Sequence, residues 1–477
     1  MRAVNARLRR QSGFIIFAAL SLIAYLGLVR MDWLYGTLRA QHTPQTIAWY
    51  LLAFIAFGGL LIWTENNAVS VKWVWGTAVL FRLLLLSTTP TLSDDVYRYL
   101  WDGYVANNGV SPFAYAIDAP ELDYLDIPQR EQANNAWMAS PYLPAAQSIF
   151  ATLTFAFPLK PLFLQASMIV FDLLSGLLIA RLLVLANLPR QRLLIYLWNP
   201  LVIVEIAHSA HIDAWMIFLA LLTVLLTLKS EIISDGQRWR WVKIGAPVAL
   251  ALATLTKVLP VMAVPVLFWR WSWRQWFVYG LATGGLLLPS ATRAGWGLTG
   301  PLDGTGLFGA LRIYSSQWKF NSGIFHWFEA WLNQKGVYDS LAAAKQIGFV
   351  LMLVVLVIVW RTARRERGVR MSLRLTAVPF MAYILLAPTV HPWYALMLIA
   401  FLPFLTPGEG ESRWFWLVTL PWLYLSGALV FSYLTYLDPQ NFGELEWVRR
   451  LEWLPVLALL LAAAALSGKY RRIKQQF

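Results

Sequence analysis

Long apolar runs, separated by short polar segments, follow one another along almost the whole chain. Because lipid offers backbone groups no hydrogen-bond partners, we expect each crossing of a bilayer to be an α-helix of about 17–25 residues. The runs 244–257 and 258–269 are shorter than that. The pattern predicts an all-α polytopic membrane protein with about fourteen spans, near residues 13–30, 46–64, 72–89, 161–187, 193–207, 211–228, 244–257, 258–269, 275–291, 341–360, 373–389, 393–406, 414–433 and 452–467.

Basic residues orient this helical bundle, because loops on the cytoplasmic side carry the excess of Lys and Arg. They occur in short blocks: Arg2, Arg7, Arg9 and Arg10; Arg361 to Arg374; Lys469 to Lys474. These blocks place both termini inside and the loops 90–145 and 292–340 outside, with short interfacial helices expected in the loops. We therefore predict one integral-membrane domain, residues 1–477, in a bacterial inner membrane, with its functional face toward the periplasm or exterior.

Composition changes this picture little but excludes several classes of protein. The chain is 58% hydrophobic and 13% charged, with mean hydropathy +0.55, which is too apolar for a soluble protein of 477 residues. Its net charge of +14 lies in the topology-determining blocks, so we expect no nucleic-acid partner. The absence of cysteine excludes disulfides and thiol chemistry. No P-loop, Rossmann glycine pattern or G-x-S-x-G elbow occurs, so nucleotide-driven and serine-hydrolase mechanisms lack support.

Ionisable residues gather at the outer ends of the predicted spans. Asp94 and Asp95 follow the third span; Glu205, His208, His211 and Asp213 surround the turn between the fifth and sixth; Lys257 and His391 mark two later turns. Polar groups at membrane depth are costly and usually functional. Four distant turns at one depth predict a shared cavity at the outer leaflet.

Each of these signals also has a structural interpretation. Adjacent acids often cap a helix or lie in solvent. His208 and His211 share a face if their turn is helical, and with Asp213 they form a possible metal site. Hydrogen bonds to ligand hydroxyls or to one another are the favoured alternative, since no further His or Cys ligand set is evident. Lys257 either snorkels to the interface or meets a phosphate.

Two further groups of residues complete the prediction. Arg82 and Asp172 both lie within apolar spans and are expected to form a buried pair. The second outer loop contains the run YSSQWKFNSGIFHW, which includes Trp318 and Asn321. Aromatic faces beside amide and hydroxyl donors are typical of carbohydrate sites. The same composition also fits an interfacial re-entrant loop.

Several motifs resemble the GT-C superfamily of glycosyltransferases, and most closely the polyprenyl-phosphate-mannose-dependent mannosyltransferases. The first is the run SDDVYRYLWDG from Ser93 to Gly103, which opens the first outer loop. Further matches are WNPLVIVEIAHSAHIDA from Trp198, TKVLP from Thr256, WKFN from Trp318 and HPWY from His391. The resemblance extends over most of residues 80–400.

The resemblance implies an inverting transfer of a sugar, with mannose favoured, from a polyprenyl-phosphate donor to a glycan, lipid or protein acceptor outside the cytoplasm. Asp94 matches the acid that acts as general base, Asp95 is expected to tune and orient it, and Lys257 is the plausible phosphate ligand. The family's frequent D-x-D is replaced by D-D followed by Val96, so we expect no metal and no cofactor. Contacts to sugar or acceptor are expected from the following residues: Asp102, His208, His211, Asp213, Trp318, Asn321, His391 and Tyr394.

Two other functions use similar residues. A transporter or flippase for lipid-linked saccharides predicts polar groups on both leaflets and usually an internal repeat, neither of which is evident here. A ligase that moves a whole glycan between carriers also uses an outer loop and a lipid-phosphate donor. The residues alone discriminate poorly between the ligase and the transferase.

Overall fold

The computed structural model describes residues 2–231, 237–299, 303–405, 412–438 and 443–474, with side chains described for all of these except 2–11, 237–240, 412–415 and 467–474. The described part of the chain folds into helices without β-strands. The basic blocks at 2–10 and 469–474 lie outside the described side chains.

Fifteen α-helices of nine residues or more are described, and we number them in chain order. They are α1 (Arg2–Tyr35), α2 (Thr43–Thr64), α3 (Val71–Leu85), α4 (Asp95–Asn107), α5 (Pro144–Ala156), α6 (Pro161–Leu185), α7 (Asp213–Ser230), α8 (Gln237–Thr254), α9 (Trp273–Ala294), α10 (Gly309–Gln317), α11 (Ile324–Gln334), α12 (Ser340–Arg365), α13 (Val369–Leu386), α14 (Ser412–Ala428) and α15 (Glu446–Lys474).

Shorter helical turns connect these elements or interrupt predicted spans. They cover Ala40–His42, Pro120–Leu122, Pro128–Gln132, Arg190–Leu193, Leu194–Leu197, Pro200–Ile203, Val204–His208, Leu259–Ala263, Val264–Leu267, Pro392–Ala395, Leu396–Phe401, Leu402–Phe404 and Leu429–Leu437. Proline stands at the start of many of them, where its missing N–H costs no hydrogen bond.

Seven helical segments of the described chain are long and apolar enough to cross a membrane: Ser12–Tyr35, Ala40–Thr64, Pro161–Leu185, Asp213–Ser230, Ser340–Arg365, Val369–Leu386 and Trp416–Leu437. They confirm a helical protein with the composition of membrane spans. The other seven predicted spans coincide with helices that are shorter, interrupted, less apolar or partly undescribed. The total of fourteen therefore stays a prediction.

The most deeply buried stretch is the interrupted segment 193–214, which lies in the middle of the main apolar core. It contacts α3 and α6 and leads into α7. Within it, residues Val204–His208 form a π-helical turn, and Ala210 adopts a left-handed conformation with φ 58°. Both irregularities are rare, and they commonly occur at functional sites.

Arg82 and Asp172 form the buried ion pair that the sequence predicts. Both side chains are fully buried, and the guanidinium also donates to the backbone oxygens of Ala78 at 3.0 Å and Leu197 at 2.9 Å. The pair therefore joins α3, α6 and the central interrupted segment. Its role is structural, because every contact is to the protein interior.

The two long loops pack against each other and against the helix ends. Ala139 donates its backbone N–H to Asp303, and Gly306 donates to Phe113, at 3.1 and 2.7 Å. The second loop is also tied to the turn before His391, since Phe320 N–H donates to the Pro388 oxygen and Val390 N–H donates to the Phe320 oxygen. We call this end of the bundle the loop face.

Candidate functional site

A cavity of about 610 Å³ opens among the helix ends and loops of the loop face. Its walls come from segments that are far apart in sequence: 93–95, 134–143, 256–262, 311–320, 391–394 and 432–436, together with single residues of α7 and α13. Seven of the predicted site residues line it: Asp94, Asp95, Asp213, Lys257, Trp318, His391 and Tyr394. The expected convergence of distant turns on one cavity is thus observed.

Asp94 lies at the position that precedes α4, where a carboxylate commonly caps the helix. Its side chain makes no cap hydrogen bond. Instead, the carboxylate pairs with Arg39 at 2.9 Å, and both side chains are about one-third exposed. Arg39 also lies over the ring of Tyr436, 5.4 Å from its centroid. The capping interpretation is therefore wrong for Asp94, whose carboxylate is held by a guanidinium.

Asp95 occupies a more enclosed part of the same wall. Its carboxylate accepts a hydrogen bond from the Asn134 amide at 2.7 Å and lies 3.6 Å from His211 Nδ1. Burial raises the pKa of Asp95 above its ordinary value, and Lys257, Asn134 and Tyr142 oppose that shift. The two adjacent aspartates therefore have different surroundings: one is ion-paired and the other is enclosed.

Lys257 has a carboxylate partner in the cavity wall. Its ammonium group donates to Asp213 at 2.5 Å, and it lies 5.8 Å from the ring centroid of Tyr394. Lys257 is 22% exposed and Asp213 only 3%. An ammonium group has three donors, so the pair leaves Lys257 hydrogens for a ligand in the cavity while Asp213 fixes the position of its nitrogen.

Aromatic side chains form the wall next to this ion pair. His391 stacks on Phe320 and Trp393, with centroids 4.6 and 4.5 Å apart. The Tyr314 and Tyr394 hydroxyls are hydrogen-bonded to each other. Burial, with a smaller effect from Lys257, lowers the pKa of His391 to about 3. The imidazole is therefore neutral, with one nitrogen able to donate and the other able to accept.

Trp318 reaches the cavity from the second loop. Its ring stacks on Tyr314 at 5.6 Å and faces Trp137 of the first loop at 6.4 Å. Lys345 donates to the backbone oxygens of Ser316 and Trp318, which fixes the end of α10. The aromatic cluster therefore bridges the two loops on the cavity wall.

Four of the residues expected to contact sugar or acceptor do not line the cavity, and for these four the contact stays a prediction. Asp102 binds Arg98, Ser140 and Gln147 inside the first loop. His208 hydrogen-bonds the Thr88 hydroxyl at 2.7 Å, and Asn321 donates to Glu452 at 2.7 Å. His211 is fully buried behind Asp95. These polar groups are satisfied by the protein or enclosed by it.

The side chains of His208 and His211 have different surroundings, although a regular helix would place residues three apart on one face. The π-helical turn ends at His208, and Ala210 then adopts its left-handed conformation before His211. The turn is therefore not a regular helix that would put both rings on one face. Among the described residues, no group of three or more His, Cys, Asp or Glu side chains is arranged to hold a metal ion. Independence from metal stays a prediction.

Sequence reasoning missed Arg39 and Asn134 as neighbours of the aspartates. Arg39 had a detectable signal, because the predicted topology puts it in the short outer loop between the first two spans, where the charge rule disfavours Lys and Arg. Asn134 had none, since an amide in a long polar loop is unremarkable in composition. Tyr142 is a further neighbour of Asp95, and its position there depends on how the first loop folds.

Comparisons with known proteins agree with the motifs. Residues 18–273, more than half of the chain, match the family model described as alpha-(1->6)-mannopyranosyltransferase, N-terminal domain. A curated relative, alpha-(1->6)-mannopyranosyltransferase A of Mycobacterium tuberculosis (strain ATCC 25618 / H37Rv), is 23% identical over 489 residues, covering 86% of this chain and 87% of the relative. No solved structure matches.

Proposed function

The chain belongs to the alpha-(1->6)-mannopyranosyltransferase family, and from that premise we propose that it transfers mannose from a polyprenyl-phosphate carrier to an acceptor hydroxyl at the outer face of the membrane, with inversion at the sugar. Family membership and the relative support a mannosyltransferase. The lipid donor, the inversion and the outer face are our proposal. The acceptor is a glycan, a lipid or a protein.

The observation that carries the proposal is the arrangement of charge around one cavity. The Asp94–Asp95 pair and the Lys257–Asp213 ion pair both line it. A sugar hydroxyl is a weak nucleophile, and a positioned carboxylate increases its reactivity about 10²–10⁴-fold. Lys257 stabilises charge that develops on the leaving phosphate. One carboxylate base and one cation suffice for a single displacement, which inverts the anomeric centre.

The lining beside Lys257 favours a lipid-linked donor. Val258, Leu259 and Met262 follow directly along the cavity wall, and Val258 is 44% exposed. An ammonium group next to exposed aliphatic side chains suits a phosphate that carries a hydrocarbon tail. In this arrangement the tail lies along the aliphatic side, and the sugar lies toward the aspartates and the aromatic wall.

The contacts of the two aspartates bear on which of them is the base. The sequence expectation assigns the base to Asp94 and tuning to Asp95. The Asp94 carboxylate is held in an ion pair by Arg39. Burial raises the pKa of Asp95, which makes its carboxylate a stronger base than an ordinary aspartate. We therefore propose that Asp95 takes the proton and that Asp94, held by Arg39, orients the acceptor.

The proposal is tested with purified protein in lipid vesicles, given polyprenyl-phosphate mannose and an α-mannosyl oligosaccharide. We expect a longer oligosaccharide, with NMR showing opposite anomeric configurations in donor and product. The matched control donor is mannose linked to a nucleoside diphosphate, which should give no product. Movement of intact donor across the bilayer without cleavage would favour the transporter, and transfer of a preassembled glycan would favour the ligase.

The outer location of the cavity is tested separately by labelling. A cysteine at Ser111, in the loop 90–145, is unique because the chain has no natural cysteine. We expect a membrane-impermeant thiol reagent to modify it in spheroplasts. A cysteine at Thr362, near the C-terminal end of α12, lies on the predicted cytoplasmic side. It should be modified only after the membrane is opened. Labelling of Ser111→Cys from the cytoplasmic side alone contradicts an outer site.

A further inference from the structure

Behind Asp95, a chain of buried polar side chains leads away from the cavity. His211 Nδ1 lies 3.6 Å from Asp95, and His211 Nε2 lies 3.2 Å from Glu205. Glu205 in turn accepts a hydrogen bond from the Tyr433 hydroxyl at 2.6 Å. His211 and Glu205 are both fully buried. An imidazole therefore stands between two carboxylates, one on the cavity wall and one in the interior.

Neither ring nitrogen of His211 has a hydrogen-bond partner in the structure. Buried polar groups are almost always paired, so an unpaired buried imidazole calls for an explanation. The ring is held by stacking on Trp393, with centroids 4.0 Å apart, which places its nitrogens toward the carboxylates. Stacking thus fixes the plane of a ring whose polar atoms are left available.

The backbone that carries His211 and Glu205 is irregular in the same place. Glu205 lies in the π-helical turn Val204–His208, and His211 follows the left-handed Ala210. The His211 N–H donates to the Glu205 backbone oxygen at 3.2 Å, which closes the turn and brings both side chains together. A left-handed alanine is strained, and such strain persists chiefly where the geometry serves a purpose.

Building on the proposed transferase function, we propose that His211 and Glu205 are positioning residues that relay the acceptor's proton away from Asp95. In this relay the resting His211 carries its proton on Nε2, which lies 3.2 Å from the Glu205 carboxylate, and its Nδ1 lone pair faces ionised Asp95. Two lone pairs facing each other account for the 3.6 Å separation, which is too long for a hydrogen bond. Uptake of a proton by Asp95 turns this contact into a donor–acceptor pair.

One proton moves from the acceptor to Glu205 during the proposed transfer. The acceptor oxygen gives its proton to Asp95 as it forms a bond to the sugar carbon, and the bond from that carbon to the phosphate oxygen breaks with its electron pair. Asp95 passes the proton to Nδ1 while Nε2 releases its own proton to Glu205. Asp95 is again ionised, the imidazole is neutral and Glu205 is protonated. The proton returns by the same route when the products leave.

The surroundings of His211 suit a group that passes a proton on. His211 is fully buried and lies near the positive charge of Lys257, and both conditions disfavour an imidazolium cation. The imidazole therefore does not keep the proton as a cation. Hydrogen bonds of catalytic groups are often long without substrate and shorten when it binds, so the contact with Asp95 need close only on proton uptake.

Chemical rescue tests the relay. His211→Ala should lower kcat about 10²-fold, the lower end of a general-base contribution, with the KM for donor and acceptor nearly unchanged. Added imidazole should raise the kcat of His211→Ala at least about tenfold. Pyrazole, which has the same shape but is a far weaker base, should not. Equal restoration by pyrazole would mean that His211 only fills space. An unchanged kcat in His211→Ala would contradict the relay.

Two further variants sharpen the test. Glu205→Gln keeps an acceptor for Tyr433 but cannot take up the proton, so it should resemble His211→Ala, and the double variant should lose no more than either single one. His326→Ala is the matched control, because His326 also faces a carboxylate, Glu446 at 3.8 Å, away from the cavity. Additive losses in the double variant would contradict a shared relay.

A measurement without turnover separates this inference from the proposed function. The chain has five histidines, so the ¹⁵N signals of His211 are identified by their absence in His211→Ala. We expect neutral His211 with its proton on Nε2 at pH 7. A proton on Nδ1, or on both nitrogens, overturns the relay whether or not mannose is transferred. Absence of transfer by wild-type protein that shows the expected tautomer contradicts the proposed function instead.

Discussion

Two ion pairs buried among apolar helices show how differently the same type of contact can serve the protein. Arg82 and Asp172 are fully buried, and the arginine also donates to two backbone oxygens. Lys257 and Asp213 form an equally direct pair, but Lys257 is 22% exposed and lines the cavity. Both pairs join segments that are distant in sequence. Only the second can also contact a ligand.

The difference shows that burial of charge does not by itself identify a site. A charge in an apolar span is a functional hypothesis by default, yet Arg82 and Asp172 neutralise each other where no ligand reaches them. What distinguishes the loop face is access: carboxylates, a cation and aromatic rings share one cavity. Removing a group from the first pair should therefore affect folding, and removing one from the cavity should affect turnover.

The largest effect is expected from Asp95→Asn. The amide keeps the size of the side chain but cannot accept the proton, so kcat should fall by about 10²–10⁴-fold with little change in the KM for the donor. Turnover of polyprenyl-phosphate mannose by variants of equal apparent Tm is the measurement.

Asp94→Asn is the matched control, since it should lower kcat less than Asp95→Asn does. The opposite result, with Asp95→Asn active and Asp94→Asn inactive, restores the assignment expected from the sequence. Near-normal turnover in both variants contradicts the transferase and favours the transporter.

The next largest effect is expected from Asp172→Asn, but on stability. It leaves Arg82 as an unneutralised buried cation, which costs about 3–5 kcal/mol. We expect a lower apparent Tm in detergent, while the fraction that remains folded keeps its normal kcat.

Replacing both partners by apolar residues, as in Arg82→Met with Asp172→Leu, should recover much of the lost stability. A double variant that is less stable than Asp172→Asn would argue against a purely structural pair. Loss of kcat in folded Asp172→Asn would do the same.

A smaller effect is expected from Lys257→Gln, which preserves a hydrogen bond to Asp213 but removes the charge. Hydrogen bonds to charged groups contribute about 1.5–3 kcal/mol, so kcat/KM for the donor should fall about tenfold to a hundredfold. Steady-state kinetics with varied donor is the measurement. Lys335→Gln, on a loop outside the cavity, is the control. Equal kinetics for Lys257→Gln and wild type would leave Lys257 as an interfacial anchor.

The smallest effect is expected from chelation. Two of the three possible metal ligands have partners in the protein, since Asp213 pairs with Lys257 and His208 binds Thr88. Dialysis against EDTA should therefore leave turnover of polyprenyl-phosphate mannose unchanged. Reversible loss, restored by one divalent cation, would contradict this prediction.

Much of the fold is readable from the sequence because hydropathy is local. An apolar run of sufficient length becomes a helix wherever it lies, so Pro161–Leu185 and Ser340–Arg365 match their predicted spans within a few residues. The structure of interrupted runs, such as the segment around His208, is harder to predict. A π-helical turn and a left-handed alanine depend on the surrounding core. The sequence pattern there predicts a helix hairpin and misses its irregularity.

By itself, the sequence determined that this is a helical membrane protein and that Asp94, Asp95, Lys257 and His391 stand at helix ends, since both follow from residues close in the chain. Only the tertiary structure decided the partners. Arg39 reaches Asp94 across 55 residues and Asp213 reaches Lys257 across 44. The π-helical turn and the left-handed Ala210 together place His211 beside Asp95 and His208 against Thr88. Such pairings depend on how distant segments pack against each other, and a local sequence pattern does not encode contacts between them.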